Sequence, residues 1–155
     1  MSIKLMREAI KEAEANLLAD DGGPFGAVVV KNGTVIGRGR NMVLKNNDPT
    51  CHAEIQAIRE ACRNLATYDL AGCELYASSY PCPMCLGAII WANIKIVYYA
   101  NSSEEAAAIG FRDDYIYDFI EGKCADAKVL ELRQLGREEA IDVLRRYQKE
   151  NKTIY

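Results

Sequence analysis

The chain carries a single histidine, which stands two residues ahead of an acid in His52-Ala53-Glu54, about thirty positions before Pro81-Cys82-Pro83-Met84-Cys85. One imidazole and two thiolates are a donor set suited to Zn²⁺. Three protein ligands leave the fourth tetrahedral position open for a water, the arrangement of a catalytic rather than a structural zinc site. A fold for this sequence must therefore bring two distant segments onto one ion. Taken separately the signals are weak, since a lone histidine is more often a core residue and Cys-x-x-Cys occurs in redox proteins and structural zinc sites. Taken jointly, in that order and at helix starts, they favour catalysis.

Periodicity supplies the elements. Ile3, Met6, Ile10, Ala13 and Leu17 recur at the spacing of an amphipathic helix with Ser2 as N-cap. β-Rich runs at 27–31 and 34–40 flank Asn32-Gly33, a pair that tolerates positive φ and predicts a type I′ hairpin. A second helix is expected to start around Asp48-Pro49-Thr50, capped by Asp48 or Thr50, and to run to about Asn64, with His52 and Glu54 in its first turn. A strand at 73–78, a buried helix at 83–92 and a strand at 94–100 covered on both faces follow. Short helices at 103–109 and 114–121 precede a last strand near 127–132, a crossover long enough for parallel pairing, and a charged helix at 138–151 closes the chain. The class is α/β: a three-layer α/β/α sandwich around a mixed five-stranded sheet.

The 155 residues, half of them hydrophobic, fit one domain, 1–155, burying roughly 70% of the unfolded chain's surface. No repeat, low-complexity tract or linker divides it. The N-terminus alternates charges with apolar residues, and no stretch approaches the roughly 18 apolar residues of a membrane span, so a cytoplasmic protein with no membrane attachment is expected. In that reducing setting the six cysteines are thiols rather than a disulfide framework. Cys62, Cys73 and Cys124 read as small buried apolar residues. Cys51, next to His52, is a weak candidate for a fourth ligand, because adjacent helical residues point about 100° apart. A net charge of −3 without a Lys/Arg block favours a small-molecule substrate over nucleic acid.

Both ligand groups fall at predicted helix starts, where unpaired N–H groups and the macrodipole favour thiolates. Cys82 and Cys85 share one side of a first turn, and Pro83 fits an early position that needs no N–H donor. Zinc held there would lower the pKa of its water towards about 7. Glu54 can take that proton and deliver it to a substrate ring nitrogen without binding the metal.

His-x-Glu followed by Pro-Cys-x-x-Cys is the signature of zinc nucleobase deaminases. With it, Gly22-Gly23-Pro24-Phe25-Gly26-Ala27, Asn47-Asp48-Pro49-Thr50-Cys51, Leu86-Gly87-Ala88-Ile89, Gly110-Phe111-Arg112-Asp113 and Tyr115-Ile116-Tyr117 make the chain resemble the cytidine deaminase-like superfamily and, within it, the bacterial guanine deaminases. The zinc motifs are shared among branches; the Gly-Phe-x-Asp segment and the terminal tyrosine point to guanine.

The resemblance implies hydrolytic deamination of guanine to xanthine and ammonia, by attack at purine C2, with one Zn²⁺ per subunit carrying a water or hydroxide. It implies Glu54 as proton shuttle and Asp113 as a second acid beside the exocyclic amine. Asn41 would pair with the purine edge, Phe25, Trp91 and Phe111 would wall the base, and the Ala53 backbone would face it. Tyr155 would cover the partner's pocket in a homodimer that exchanges the C-terminal segment, about 133–155. By sequence alone Asp113 also reads as a turn or cap residue, Asn41 as a strand end and Tyr155 as a frayed terminus. Two positions depart from the pattern: Tyr80 stands where many relatives carry an acid, and Cys51 where alanine is common; residues 133–151 match less well. The competing functions are deamination of cytosine, guanosine, a triazine or tRNA adenosine, and a non-catalytic domain with structural zinc.

Overall fold

The computed structural model describes every residue, Met1–Tyr155. In chain order the elements are α1 (Ile3–Ala19), β1 (Gly26–Lys31), β2 (Thr34–Arg40), α2 (Val43–Asn46), α3 (Ala53–Leu65), β3 (Cys73–Ser79), α4 (Pro83–Trp91), β4 (Ile96–Asn101), α5 (Ser103–Ala108), α6 (Asp114–Glu121) and α7 (Arg137–Lys149). Asn32 and Gly33 join β1 to β2 with φ of 50° and 77°, the pair of positive angles that a type I′ turn needs. The sheet order is β2-β1-β3-β4, with β1 antiparallel to both β2 and β3 and with β3 parallel to β4. The parallel pair is joined through α4, which supplies the crossover that parallel strands require.

Strand alternation sorts the core into two faces. Ala27 and Val29 meet Ala53, Ala57 and Ala61 of α3 and Ile89 of α4; Val28 and Val30 meet Met6 and Ala9 of α1. The result is helix, sheet, helix in three layers. Glycine permits this close stacking: a Cβ at Gly39 would stand 2.1 Å from the Ala53 carbonyl oxygen, and one at Gly26 2.2 Å from that of Ala9. The chain divides into two compact units, Met1–Ile116, which contains the sheet, and Tyr117–Tyr155, in which no residue is buried.

Three expectations change. The sheet has four strands, not five. Residues 127–132 make no ladder, because Asp126 draws them into a turn: its side chain accepts from Lys128 N–H at 2.9 Å and its carbonyl from the N–H groups of Val129 and Leu130. α3 starts at Ala53, later than Asp48, for a reason that bears on the site. Finally, α4 and β4 are only half covered. Cys85 and Ile89, one turn apart, are the buried residues of α4, while Ile90 and Trp91 are exposed, as are Ile96 and Tyr99 of β4. A strand at the sheet edge, and the helix over it, have neighbours on one side only, which an apolar run cannot reveal.

Candidate active site

Asp48 delays α3. One of its carboxylate oxygens accepts from Thr50 N–H at 2.8 Å and from the Thr50 hydroxyl at 2.7 Å, and the other from the Cys51 thiol at 3.1 Å. Holding the charged carboxylate in these bonds, above all those from Thr50, lowers the Asp48 pKa to about 2. The side chain thus closes a turn of its own and leaves His52 as the N-cap of α3, in extended conformation at φ −69° and ψ 158°. Cys82 is the N-cap of α4 at φ −66° and ψ 168°, followed by Pro83 at the start of the helix. Neither residue makes the side-chain capping bond usual for an N-cap, and both donor atoms turn instead towards each other and Cys85.

His52 Nδ1 stands 3.5 Å from Cys82 Sγ and 3.6 Å from Cys85 Sγ, and the three donor atoms lie within 4.8 Å of one another. A nitrogen at ~2.0 Å and a sulfur at ~2.3 Å from one tetrahedral ion would be about 3.5 Å apart, so the cage fits Zn²⁺. Cys85 and His52 bring the Cys82 thiol down to about 4, making it a thiolate; that thiolate and burial push Cys85 up. A divalent cation between them removes the conflict, since coordinating thiols are deprotonated outright. His52 is pushed up, first by its bond to Cys82. Cys51 is not part of the cage: its sulfur faces Asp48, with Asn46 Nδ2 at 3.5 Å and Arg59 at 3.9 Å.

His52, Cys82 and Glu54 line a cavity of about 810 Å³ whose wall also includes Phe25, Asn41, Phe111 and Asp113. Glu54 is buried, and its desolvation raises its pKa. Burial also raises Asp113, followed by the negative charge on Cys82. Phe25 and Phe111 meet edge to face, centroids 4.9 Å apart at 90°, an arrangement that aromatic quadrupoles favour. Gly23 makes room for them, because a Cβ there would stand 2.9 Å from both rings.

Asn41 N–H donates to the Phe25 carbonyl at 3.0 Å, and its Oδ1 accepts from Val43 N–H at 3.1 Å, which orients the amide with its N–H pair uncommitted for a ligand. Sequence reasoning missed the residue behind it. Asn16 of α1 is buried and donates to the carbonyls of Gly23 at 2.8 Å and Asn41 at 2.7 Å, clamping two parts of the cavity wall. The signal was available: an amide three residues after Ala13 sits on the apolar stripe. Asp21 makes a second clamp, through ion pairs with Arg40 at 2.7 Å and Lys45 at 3.6 Å.

Three of the expected substrate residues are not in this wall. Trp91 is 75% exposed at the far end of α4 and does not line this cavity. Ala53 faces the core, and only its backbone N–H, unpaired at the first helical position, is free for a ligand. Tyr155 belongs to the other compact unit and is 81% exposed.

Residues 1–101 match the family model of the cytidine and deoxycytidylate deaminase zinc-binding region. The chain is 48% identical over 130 residues to the guanine deaminase of Bacillus subtilis, covering 84% of this chain and 83% of the relative. Over 129 residues, with 83% and 82% covered, identity to a tRNA-specific adenosine deaminase of Agrobacterium fabrum is 35%. The crystal structure of the B. subtilis guanine deaminase superposes with a TM-score of 0.93 at 42% identity, covering 100% of this chain and 99% of that one.

Proposed function

Because the chain belongs to the cytidine and deoxycytidylate deaminase zinc-binding family, we propose that it is a zinc-dependent deaminase converting guanine and water to xanthine and ammonia. The observation that carries the reading is one cavity that joins a three-donor zinc cage to a buried acid, Glu54, and to an amide, Asn41. Guanine is favoured over tRNA adenosine by identity at equal coverage, 48% against 35%. No helix is long and apolar enough to cross a membrane, and a cytoplasmic location suits the six free cysteines.

His52, Cys82 and Cys85 would hold Zn²⁺, which when bound would acidify a water. Glu54 takes a proton from the attacking water as its oxygen bonds C2 and returns it to the ring nitrogen beside C2; burial raises its pKa, which favours the protonated form that makes this delivery. Asp113, also raised, protonates the departing amine as the C2–N bond breaks and regains a proton from the new C2 hydroxyl as it becomes the carbonyl of xanthine. Asn41 donates its N–H pair to an acceptor on the base edge, the Ala53 N–H offers a further donor, and Phe25 and Phe111 supply apolar contact to the flat ring. The C-terminal segment 133–155 exchanges between the subunits of a homodimer, bringing Tyr155 over the partner's cavity. This last reading is supported by the absence of any buried residue in Tyr117–Tyr155, whose apolar side chains lack a surface of their own to cover.

Ammonia release from guanine, cytosine, guanosine, a triazine and a tRNA anticodon stem tests the assignment: guanine should be turned over best. Preference for any of the others would replace it. Glu54→Ala should keep its zinc and lose at least about a hundredfold in rate, the size of a general acid–base contribution; undiminished turnover would refute the shuttle.

A further inference from the structure

The two clamps on the cavity wall differ in kind. Asn16 is neutral, whereas Asp21 puts a carboxylate where only 8% of the residue is exposed, and the proposed chemistry does not use it. That carboxylate accepts from Arg40 Nη2 at 2.7 Å and Nε at 3.2 Å, and it pairs with Lys45 at 3.6 Å. The Asp21 carbonyl accepts from the N–H groups of Leu44 at 3.1 Å and Lys45 at 3.0 Å, in the short helix α2. A carboxylate taken out of water is costly unless paired, and such pairs add little net stability. What they supply is position.

The residue they position is Asn41. Arg40 precedes it and Leu44 and Lys45 follow it, so Asp21 holds the chain on both sides of the amide. Gly22, next to Asp21, lies against the same side chain: a Cβ there would collide with Asn41 Oδ1 and stand 2.8 Å from the Asn41 carbonyl oxygen. Val43 N–H, within the held stretch, fixes Oδ1 and leaves the N–H pair uncommitted. Asp20, Gly22, Asn41, Val43 and Leu44 line the cavity and Asp21 does not, so a substrate meets Asp21 only through the residues it holds. A donor already fixed in direction spares the complex the cost of ordering it.

We propose that Asp21 is a positioning residue for substrate recognition, which holds Arg40 and α2 so that the Asn41 amide faces the edge of the base. This rests on reading Asn41 as a substrate-binding residue of a nucleobase deaminase. The test is a double-mutant cycle on the zinc-loaded protein: wild type, Asp21→Ala, Asn41→Ala and the two combined. Zinc content is measured, with kcat and KM on guanine, cytosine, adenine and guanosine. Asp21→Asn, which keeps the shape and loses the charge, is measured beside them and replaces Asp21→Ala in the cycle should that variant not fold.

For the substrate that wild type turns over best, Asn41→Ala should raise KM about five- to tenfold, the worth of one hydrogen bond. Asp21→Ala should raise it about three- to tenfold, as for groups coupled in one network, and Asp21→Asn by less. In both, kcat should change less than about twofold, because a bond to the base edge is made in the bound substrate as in the transition state. In the Asn41→Ala background, Asp21→Ala should change KM by less than about twofold, which a general loosening of the fold would not produce. Zinc content should hold, since the three donors lie elsewhere. An unchanged KM in Asp21→Ala, an equal rise in both backgrounds, or lost zinc overturns the proposal. So does a wild-type KM in Asn41→Ala, which would leave no contact to position. If guanine is inert but another base reacts, the guanine assignment fails while Asp21 is judged on that base. If none reacts, calorimetric binding of the same four runs the same cycle, and no binding to wild type overturns the proposal.

Discussion

Residues 48–85 and residues 117–155 are nearly equal in length and opposite in how they are held. In the first, Cys51, Ala53, Glu54, Ala57, Leu70, Leu75 and Cys85 are buried, and caps and turns fix the segments between them. In the second nothing is buried. Leu130, Leu132, Leu135, Val143, Leu144 and Ile154 are exposed, and the side-chain bonds are exposed pairs such as Arg133 with Glu131 and Arg145 with Asp142. Exposed pairs contribute little. The contrast separates a stretch held by buried contacts, caps and turns from one whose apolar residues stay exposed.

The largest expected effects test that contrast directly. Cys85→Ser replaces a fully buried soft ligand with a hydroxyl, and should abolish stoichiometric zinc and lower turnover by more than about a thousandfold, the several kcal/mol a catalytic metal contributes. A chain ending at residue 132 should keep one zinc, measured by atomic absorption, because all three donors lie in the first stretch. Loss of zinc on truncation would break the comparison.

A smaller effect is expected at Asn16. Asn16→Leu keeps the volume but removes the donors that hold the carbonyls of Gly23 and Asn41, leaving the Asn41 carbonyl buried without that bond while Gly23 keeps its bond from Phe25 N–H. Loss of the Asn16 Oδ1, which has no partner, offsets part of the cost. Unfolding in urea should show a net loss of about 1–3 kcal/mol, and KM should rise because Asn41 loses its backing, while zinc content holds. Wild-type stability and KM would mean that the cavity wall is held by the metal end alone.

What could be read from residue order alone follows the same division. The helix stripe of α1, the Asn32-Gly33 turn and the start of α4 at Cys82-Pro83 are local: period, positive φ and a proline that needs no donor decide them. The zinc cage was legible because its chemistry demands those donors. The start of α3 was misjudged because Asp48, a good helix cap, is better satisfied by Thr50 and Cys51. Residues 127–132 have strand composition, but a strand exists only with a partner, and Asp126 offered a turn. Trp91 rests on likeness alone, since it lies at the end of α4 and outside the lining of this chain's own cavity. Asn16 acts through contacts far apart in the chain, which no local pattern encodes.

The smallest expected effect concerns pH and again sets one stretch against the other. Asp48 is held at a pKa of about 2 against an ordinary 3.8, chiefly by its bonds from Thr50. A carboxylate lowered on folding stabilises the native state above its unfolded pKa, and that contribution is lost as pH falls from 3.8 through about 2. Asp48→Asn lacks the charge at every pH. The urea midpoint of metal-free wild type should therefore exceed that of the variant by a constant margin above pH ~5, with the margin narrowing below 3.8 and closing near 2. A margin that persists at the lowest pH would mean that the Thr50 bonds do not need the charge. In the other stretch Asp142→Asn removes only an exposed pair with Arg145, and should leave the midpoint unmoved throughout.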